Sequence, residues 1–179
     1  MGFATARTIT LQGANGHVID VQVDVTQGVV KTAMVGRPDA SISEARDRCR
    51  SAVTNSRFEW PATRRVTILL SPADLPKHGG RFDLPIALGI LIASGQVKTE
   101  LSPNSVFVGE LALSGKLRAI RNALAVGAAC QKRGYDLFCP RENEKELQPF
   151  FHQHVWLADH LLEVTAALQN HQQLAHPQP

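Results

Sequence analysis

The stretch Ser71–Ser94, SPADLPKHGGRFDLPIALGILIAS, decides the fold predicted for this chain. It begins at the end of an apolar strand, passes through a loop interrupted by Pro and Gly, and ends in an apolar helix. No charged residue occurs between Leu84 and Ala93, so the helix has no face suited to water and is predicted to lie at the centre of a domain. Asp83 is predicted to cap its N-terminus, with Pro85 in the first turn, where a missing N–H costs nothing.

The loop before this helix is flexible and cationic. Backbone N–H groups at a helix N-terminus, together with nearby cations, suit a phosphate, so we expect a nucleic-acid or other anion contact here. The residues assigned to this contact, with two arginines expected on the same edge, are Lys77, Gly79, Gly80, Arg81, Arg64 and Arg65. The alternative is that the glycines only shape the loop and that Arg81 pairs with Asp74 or Asp83.

The chain before the central stretch is predicted to form strands and one helix. Strands at 4–11 and 17–25 alternate apolar and polar residues around a turn at 13–16, and a third strand follows at 29–35. Ser41 and Glu44 match a capping box for the helix that follows. The apolar stripe of that helix comprises Ile42, Ala45, Cys49, Ala52 and Val53. A buried strand at 66–70 leads into the central stretch.

Beyond the central helix the pattern alternates strands with helices. We predict a hairpin of strands 105–113 and 116–120, a helix at 121–133 closed by Gly134, a strand at 135–140, a short helix at 142–147, a strand at 154–158 and a helix at 161–168. A run of strands is followed by strands that alternate with helices. This order predicts an α/β (α+β) domain with a mixed sheet and helices mostly on one face. The polar residues 169–179 are not expected to fold by themselves.

Composition narrows the class of protein. Hydrophobic residues make up 44% of the chain and charged residues 20%, as in ordinary globular proteins. No run of about 18 apolar residues is present, and the N-terminus lacks the apolar core of a signal peptide. The three cysteines are scattered and without paired spacing, which indicates free thiols in a reducing cytoplasm.

Charge is distributed unevenly along the chain. Between residues 44 and 81 eight Lys/Arg face four acids, whereas between 141 and 163 two bases face five acids. Such segregation can mark a side that faces a polyanion or complementary faces of neighbouring subunits, or it can arise by chance. Arg46, Arg48 and Arg50, on the first long helix, are the candidates for a partner face.

Two other candidate sites fail on their spacing. The segment 109–117 resembles a phosphate loop, but it has five residues between its glycines, Leu117 where a Ser or Thr is needed, and strand pattern on both sides. His152 and His154 could lie on one strand face, but only Asp159 or His160 could complete a metal site, so we expect no metal.

Three segments of the chain resemble one family closely. They are MVGRPDASISEARDRCRSAVTNSRFEWP at 34–61, VTILLSPADLPKHGGRFDLPIALGILIASG at 66–95 and FVGELALSGKLRAIRNALAVGAACQKRG at 107–134. The three segments are long and follow one another in the same order along the chain. They are similar to the amino-terminal domain of the ComM/YifB family of magnesium-chelatase-like AAA+ proteins. The resemblance implies a ChlI-type domain similar to the proteolytic domain of Lon, with a fold of the ribosomal protein S5 domain 2 type.

The resemblance also implies a domain organisation and a role. Residues 1–165 would form the Lon-protease-like domain, and 166–179 would begin a linker to an AAA+ ATPase module, which binds ATP and Mg²⁺. Family members of the ComM type are similar to hexameric DNA helicases that drive branch migration in competence. The implied partners are therefore the chain's own ATPase module, neighbouring subunits and DNA, with no membrane.

The likeness to Lon raises the hypothesis of a serine peptidase. Such enzymes need a Ser nucleophile at the start of the central helix and a Lys base on the next helix. Those positions fall on Phe82, or Asp83 with a shift of one, and near Leu124, none of which can perform these roles. We expect a non-catalytic accessory domain that assists DNA engagement or ring assembly, without a cofactor of its own. The alternatives are a regulatory interaction module without DNA contact and, less favoured, a peptidase.

Overall fold

The computed structural model describes residues 2–75, 77, 80–150, 154–170 and 172–179. The strands in these residues are β1 (Phe3–Gln12), β2 (Asn15–Thr26), β3 (Lys31–Val35), β4 (Arg65–Ser71), β5 (Ser105–Phe107), β6 (Glu110–Leu111), β7 (Leu117–Arg118), β8 (Asp136–Pro140) and β9 (Val155–Ala158). The α-helices are α1 (Ala40–Ser43), α2 (Ala45–Asn55), α3 (Asp83–Ala93), α4 (Ala123–Arg133), α5 (Glu144–Leu147) and α6 (Leu161–Asn170). Short 3₁₀ helices cover Gly80–Phe82, Arg141–Asn143 and Gln148–Phe150.

The main sheet has four strands in the order β1-β2-β4-β3. The first two form the predicted hairpin, whose register brings Gln12 opposite Asn15 across a two-residue turn. β2 pairs antiparallel with β4, and β3 pairs parallel with β4, so the sheet is mixed. The alternation predicted for β2 is confirmed, since the fully buried residues Ile19, Val21, Val23 and Val25 alternate with more exposed polar residues.

Helix α3 lies at the centre of the domain, as its sequence predicted. Ten of its residues are buried, and it packs against β1, β2 and α2. The approach to the sheet is close, because a Cβ added to Gly89 would lie 2.6 Å from Cγ2 of Val23. The prediction that Asp83 caps the helix is wrong. Phe82 precedes the first helical residue, and Asp83 lies inside the first turn with Pro85.

The start of the first helical region also differs from the prediction. Asp39 caps α1, its carboxylate accepting the N–H of Ile42 at 3.0 Å, and the helix ends at Glu44 before α2 begins. The capping box from Ser41 to Glu44 is therefore wrong: the Ser41 hydroxyl donates to Asp39 instead. The predicted apolar stripe is confirmed, because all five of its residues are buried.

A second, parallel sheet has the order β5-β8-β9. The predicted hairpin 105–113/116–120 is wrong in extent: β5 belongs to this sheet, and only the short strands β6 and β7 pair with each other. The break occurs where the chain turns towards α3, since Gly109 donates to the carbonyl of Arg81 at 3.2 Å and accepts from the amide of Leu84 at 3.1 Å. Gly134 closes α4 in the left-handed conformation, as predicted.

The C-terminal residues return to the domain. Helix α6 continues to Asn170, and the amide of Leu157 in β9 then donates to the carbonyl of Ala175 at 2.7 Å. The side chain of His176 contacts the carbonyl of Val155 at 2.7 Å. These polar residues were not expected to fold by themselves, and in the structure they form hydrogen bonds on the open edge that β9 supplies.

These observations confirm the expected fold class, an α/β domain with a mixed sheet and packed helices. The arrangement is compatible with the Lon-like type. Among the described residues, no helix combines the length and the apolar character that a membrane crossing requires.

Candidate functional site

The N-terminus of α3 carries a buried carboxylate that forms an ion pair with an arginine of α2. Arg48 of α2 donates from Nε and Nη2 to the two carboxylate oxygens of Asp83, at 2.7 and 3.0 Å. The same carboxylate accepts the amide of Leu111 at 3.0 Å, and Arg48 also donates to the carbonyl of Ser41. The Asp83 side chain is fully buried. A charged, bidentate geometry of this kind joins α2, α3 and β6 at one point.

Burial sets the protonation of this pair. Loss of water raises the pKa of Asp83 to about 6, against the opposing effects of Arg48 and the Leu111 amide. The hydrogen bond to Asp83 raises the pKa of Arg48 above its usual value. Arg48 is one of the candidates for a partner face, but its guanidinium points inward to Asp83, whereas Arg46 and Arg50 are exposed.

The two positions that align with a Lon-type dyad lie in different environments. Phe82 is fully buried in the main core. Leu124, on α4, is 52% exposed. Neither side chain can attack a carbonyl or accept a proton. The segment 109–117 contains the antiparallel pair β6 and β7, which agrees with the rejection of a phosphate loop there.

The Lys77 side chain is turned into the protein. It is 1% exposed, and its ammonium donates to the carbonyl of Pro72. Its own carbonyl accepts the amide of Asp39 at 3.0 Å. Burial lowers the pKa of Lys77. The expectation of an exposed phosphate contact at Lys77 is therefore corrected: the loop uses this cation to bind its own backbone.

Arg81 is partly buried beside the helix that it precedes. Its Nη2 donates to the carbonyl of Arg121 at 3.1 Å, and burial lowers its pKa. The alternative that Arg81 pairs with Asp74 or Asp83 is therefore wrong, since Asp83 binds Arg48 and Arg81 binds a backbone carbonyl. Gly80 begins the 3₁₀ helix before α3, whereas the predicted contact at Gly79 and the His152 part of the histidine pair lie outside the described residues.

Arg64 and Arg65 do not lie on the edge of this loop. Arg65 begins β4 and Ser71 ends it, so the two ends are roughly 20 Å apart at about 3.3 Å per residue. The expectation of one cationic edge is wrong because the strand carries these arginines to the opposite end of the sheet.

Arg64 instead lines a concave, basic surface between β3 and α2, which we term the β3–α2 groove. It has a volume of about 380 Å³. The lining residues are Val30, Lys31, Thr32, Arg46, Asp47, Arg50, Trp60, Pro61, Ala62 and Arg64. Four are cationic and one is acidic, so the groove attracts anions.

A second groove, of about 410 Å³, lies over the Arg48 pair and has balanced charge. Its charged residues are Arg48, Glu110, Arg118 and Glu142. Nε of Arg118 lies 3.8 Å from Oε1 of Glu142, and the guanidinium of Arg48 is paired with Asp83. This surface therefore has less free positive charge than the β3–α2 groove.

Sequence reasoning missed two members of the β3–α2 groove. The sequence analysis assigns no site role to Trp60 and includes Lys31 only as one residue of the predicted strand 29–35. The spacing of Arg46 and Arg50, one helical turn apart, was an available signal. The parallel pairing of β3 with β4, which brings Lys31 opposite Arg65, had no local signal.

The remaining candidate groups are inert or paired. Cys49, Cys130 and Cys139 are buried free thiols, and burial raises the pKa of each above its ordinary value. His154 lies 2.7 Å from a carboxylate oxygen of Asp136. Within the described part of the chain, no three His, Cys, Asp or Glu side chains are grouped for a metal.

Comparison with known proteins identifies the family of the chain. Residues 21–143, which include β3, β4, α3 and the Arg48–Asp83 pair, match the family described as subunit ChlI of Mg-chelatase. The chain belongs to the ChlI family. Together with the relatives below, this confirms the resemblance found in the sequence.

The ChlI-family chain is similar to several longer proteins. It is 40% identical over 179 residues to YifB of Escherichia coli, covering 100% of the chain and 35% of the relative. It is 37% identical over 174 residues to the competence protein ComM of Haemophilus influenzae, covering 97% of the chain and 34% of the relative. The chain thus spans about a third of the length of these relatives.

Proposed function

We propose that this chain is a non-catalytic accessory domain of a magnesium-chelatase-like AAA+ ATPase, and that it helps a hexameric motor of the competence type to engage DNA. The observation that carries the proposal is the Arg48–Asp83 pair. It fills the start of the central helix, where a Lon-type peptidase has its nucleophile, and it leaves Phe82 buried beside it. Asp83 has a structural role at that position, because both of its carboxylate oxygens already accept hydrogen bonds.

The role in DNA engagement has separate support. One relative is named a competence protein, and the β3–α2 groove concentrates positive charge on one side of the chain. Positive surfaces bind the nucleic-acid backbone without sequence preference. ATP and Mg²⁺ belong, in this proposal, to an ATPase module elsewhere in the full protein.

Two measurements test the proposal. The 179-residue chain should remain unlabelled by a fluorophosphonate probe, and it should bind DNA of unrelated sequences with an affinity that falls steeply with salt. Labelling that is lost on heat denaturation would indicate a reactive serine and contradict the non-catalytic role. Equal affinity at low and high salt would contradict a backbone contact.

The second candidate function is an interaction module within a ring, without DNA contact. It is favoured by the outer edge of β3, which pairs with β4 on one side and has exposed Val30 and Val35 at its ends, 61% and 49% exposed. An open strand edge with apolar neighbours suits pairing with another chain. Sedimentation of the chain at increasing concentration distinguishes the two functions: self-association that DNA leaves unchanged would favour the module.

A further inference from the structure

We propose that the β3–α2 groove binds single-stranded nucleic acid, with the phosphates held by its cations and one base stacked on Trp60. This inference rests on the proposed function and makes it specific, since it assigns a site and a strand type to DNA engagement. It places the contact at the opposite end of β4 from the loop that the sequence had suggested.

The cations of the groove are available to a ligand. Lys31, Arg46 and Arg50 are exposed, and Arg64 is partly exposed. Arg46 lies 3.7 Å from Asp47, its neighbour in sequence. Within the described residues, Lys31, Arg50 and Arg64 form no ion pair with a carboxylate. They therefore keep their charge for a polyanion, unlike Lys77 and Arg81, whose side chains bind backbone carbonyls.

Trp60 is held as a platform. Part of its side chain packs against the main core, and the rest lines the groove. Both backbone polar groups of Glu59, the residue before Trp60, bind the side chain of Gln96. The amide of Glu59 donates to Oε1 of Gln96 at 2.8 Å, and the carbonyl of Glu59 accepts from Nε2 of Gln96 at 2.7 Å. An aromatic ring already fixed by packing loses little freedom when a base stacks on it.

The shape of the groove favours a single strand over a duplex. A volume of about 380 Å³ lies in the range of sites for small molecules, so the groove accepts one unit of a polymer at a time. Bases of a duplex are stacked inside the helix and reach a protein aromatic only when they are flipped out. A single strand presents its bases freely and combines stacking with phosphate contacts.

An acidic protein segment is the competing ligand, and it makes a different prediction. Carboxylates would satisfy Arg46, Arg50 and Arg64 but would gain nothing from the ring of Trp60. The site for nucleic acid therefore depends on the aromatic ring as well as on charge, whereas a site for an acidic partner depends on charge.

The experiment uses the two tryptophans of the chain, Trp60 and Trp156. In the Trp156→Phe variant, Trp60 is the sole indole, and titration with an oligothymidylate of about 20 nucleotides should quench its fluorescence through stacking. In the Trp60→Leu variant, which has no aromatic ring, quenching should be lost, while the anisotropy of a labelled oligonucleotide should report an affinity reduced by roughly fivefold or more. Leu keeps an apolar side chain against the core, so the fold is retained.

Charge is tested with a matched pair of double variants. Arg46→Glu/Arg50→Glu should weaken binding by more than about tenfold at low salt. It should also reduce the slope of log affinity against log salt by about 1.4, since each phosphate contact contributes roughly 0.7 for single strands. Lys132→Glu/Arg133→Glu, which makes the same change of charge at exposed residues of α4, should have a much smaller effect.

The outcomes separate this inference from the proposed function. If the oligonucleotide binds but the groove variants match the α4 control, or if Trp60 is not quenched, the groove is the wrong site while DNA engagement stands. Equal affinity for a duplex of the same length, or tighter binding of polyglutamate that Trp60→Leu leaves unchanged, also overturns the inference. Failure of the unmodified chain to bind any DNA at low salt overturns both.

Discussion

Arg48 and Asp83 bind each other through two hydrogen bonds across the contact between α2 and α3, although 35 positions separate them in the sequence. The carboxylate is fully buried, and the arginine is 20% exposed. The pair therefore connects the solvent side of α2 with the N-terminus of the central helix. In the proposed function, it occupies the position of the nucleophile of a Lon-type peptidase.

Breaking this pair from one side should destabilise the domain. Arg48→Met leaves the Asp83 carboxylate buried with the Leu111 amide as its remaining partner, which we expect to cost about 3–5 kcal/mol of unfolding free energy. Urea denaturation gives the value. In the double variant Arg48→Met/Asp83→Asn no charge is left buried. Its loss of unfolding free energy should therefore be smaller than the sum of the losses in the two single variants. Strict additivity would show that the two side chains are not coupled.

The raised pKa of Asp83 gives a stability contribution with an unusual sign. Because its folded pKa of about 6 exceeds the ordinary value of 3.8, this contribution is present below pH 4 and is lost as the pH rises through 6. Relative to Asp83→Asn, the unmodified chain should gain about 2 kcal/mol of unfolding free energy between pH 6 and pH 4. Thermal or urea unfolding at both pH values measures this difference. An opposite trend would mean that the ion pair outweighs burial.

Gly36 should not tolerate a side chain. Its φ is 109°, and a Cβ there would lie 2.0 Å from the carbonyl oxygen of Leu70 in β4. Gly36→Ala should therefore force β3 away from β4 and cost more than about 2 kcal/mol. Gly13→Ala is the matched control, since Gly13 also has a positive φ, 64°, but open space around it. Its cost should be about 1 kcal/mol. Similar losses in the two variants would exclude a steric origin.

The three thiols should be unreactive in the folded chain. Each is buried, and burial raises the pKa of Cys130 to about 12 and those of Cys49 and Cys139 further from the physiological range. Because the thiolate is the reactive form, Ellman's reagent should titrate none of them at pH 8 and all three in denaturant. One thiol that reacts rapidly without denaturant would show that its surroundings open locally.

The parts of the fold that were predictable have strong local patterns. The alternation in β2 and the uncharged run of α3 each specify burial within a few residues. The position of Arg48 was not predictable from such patterns, because a charge on a helix surface carries no information about its partner. Local sequence could not show whether it faced water, another subunit or Asp83.

The candidate sites illustrate the same limit. The motif before α3 did not indicate that Lys77 would bind the carbonyl of Pro72. The β3–α2 groove depends on the parallel pairing of β3 with β4, which are separated by the whole helical region. Pairing over such a distance leaves no periodic signal in the sequence. Trp60 and Lys31 were therefore missed as members of one site.

Strand β1 contributes to both hydrophobic clusters of the domain. Ala4 belongs to the cluster around α3, and Ile9 belongs to the cluster formed by α4 and the second sheet. Detachment of β1 would therefore remove packing from both clusters. The two sheets therefore form one cooperative unit, and the chain should unfold in a single transition in which both clusters melt together.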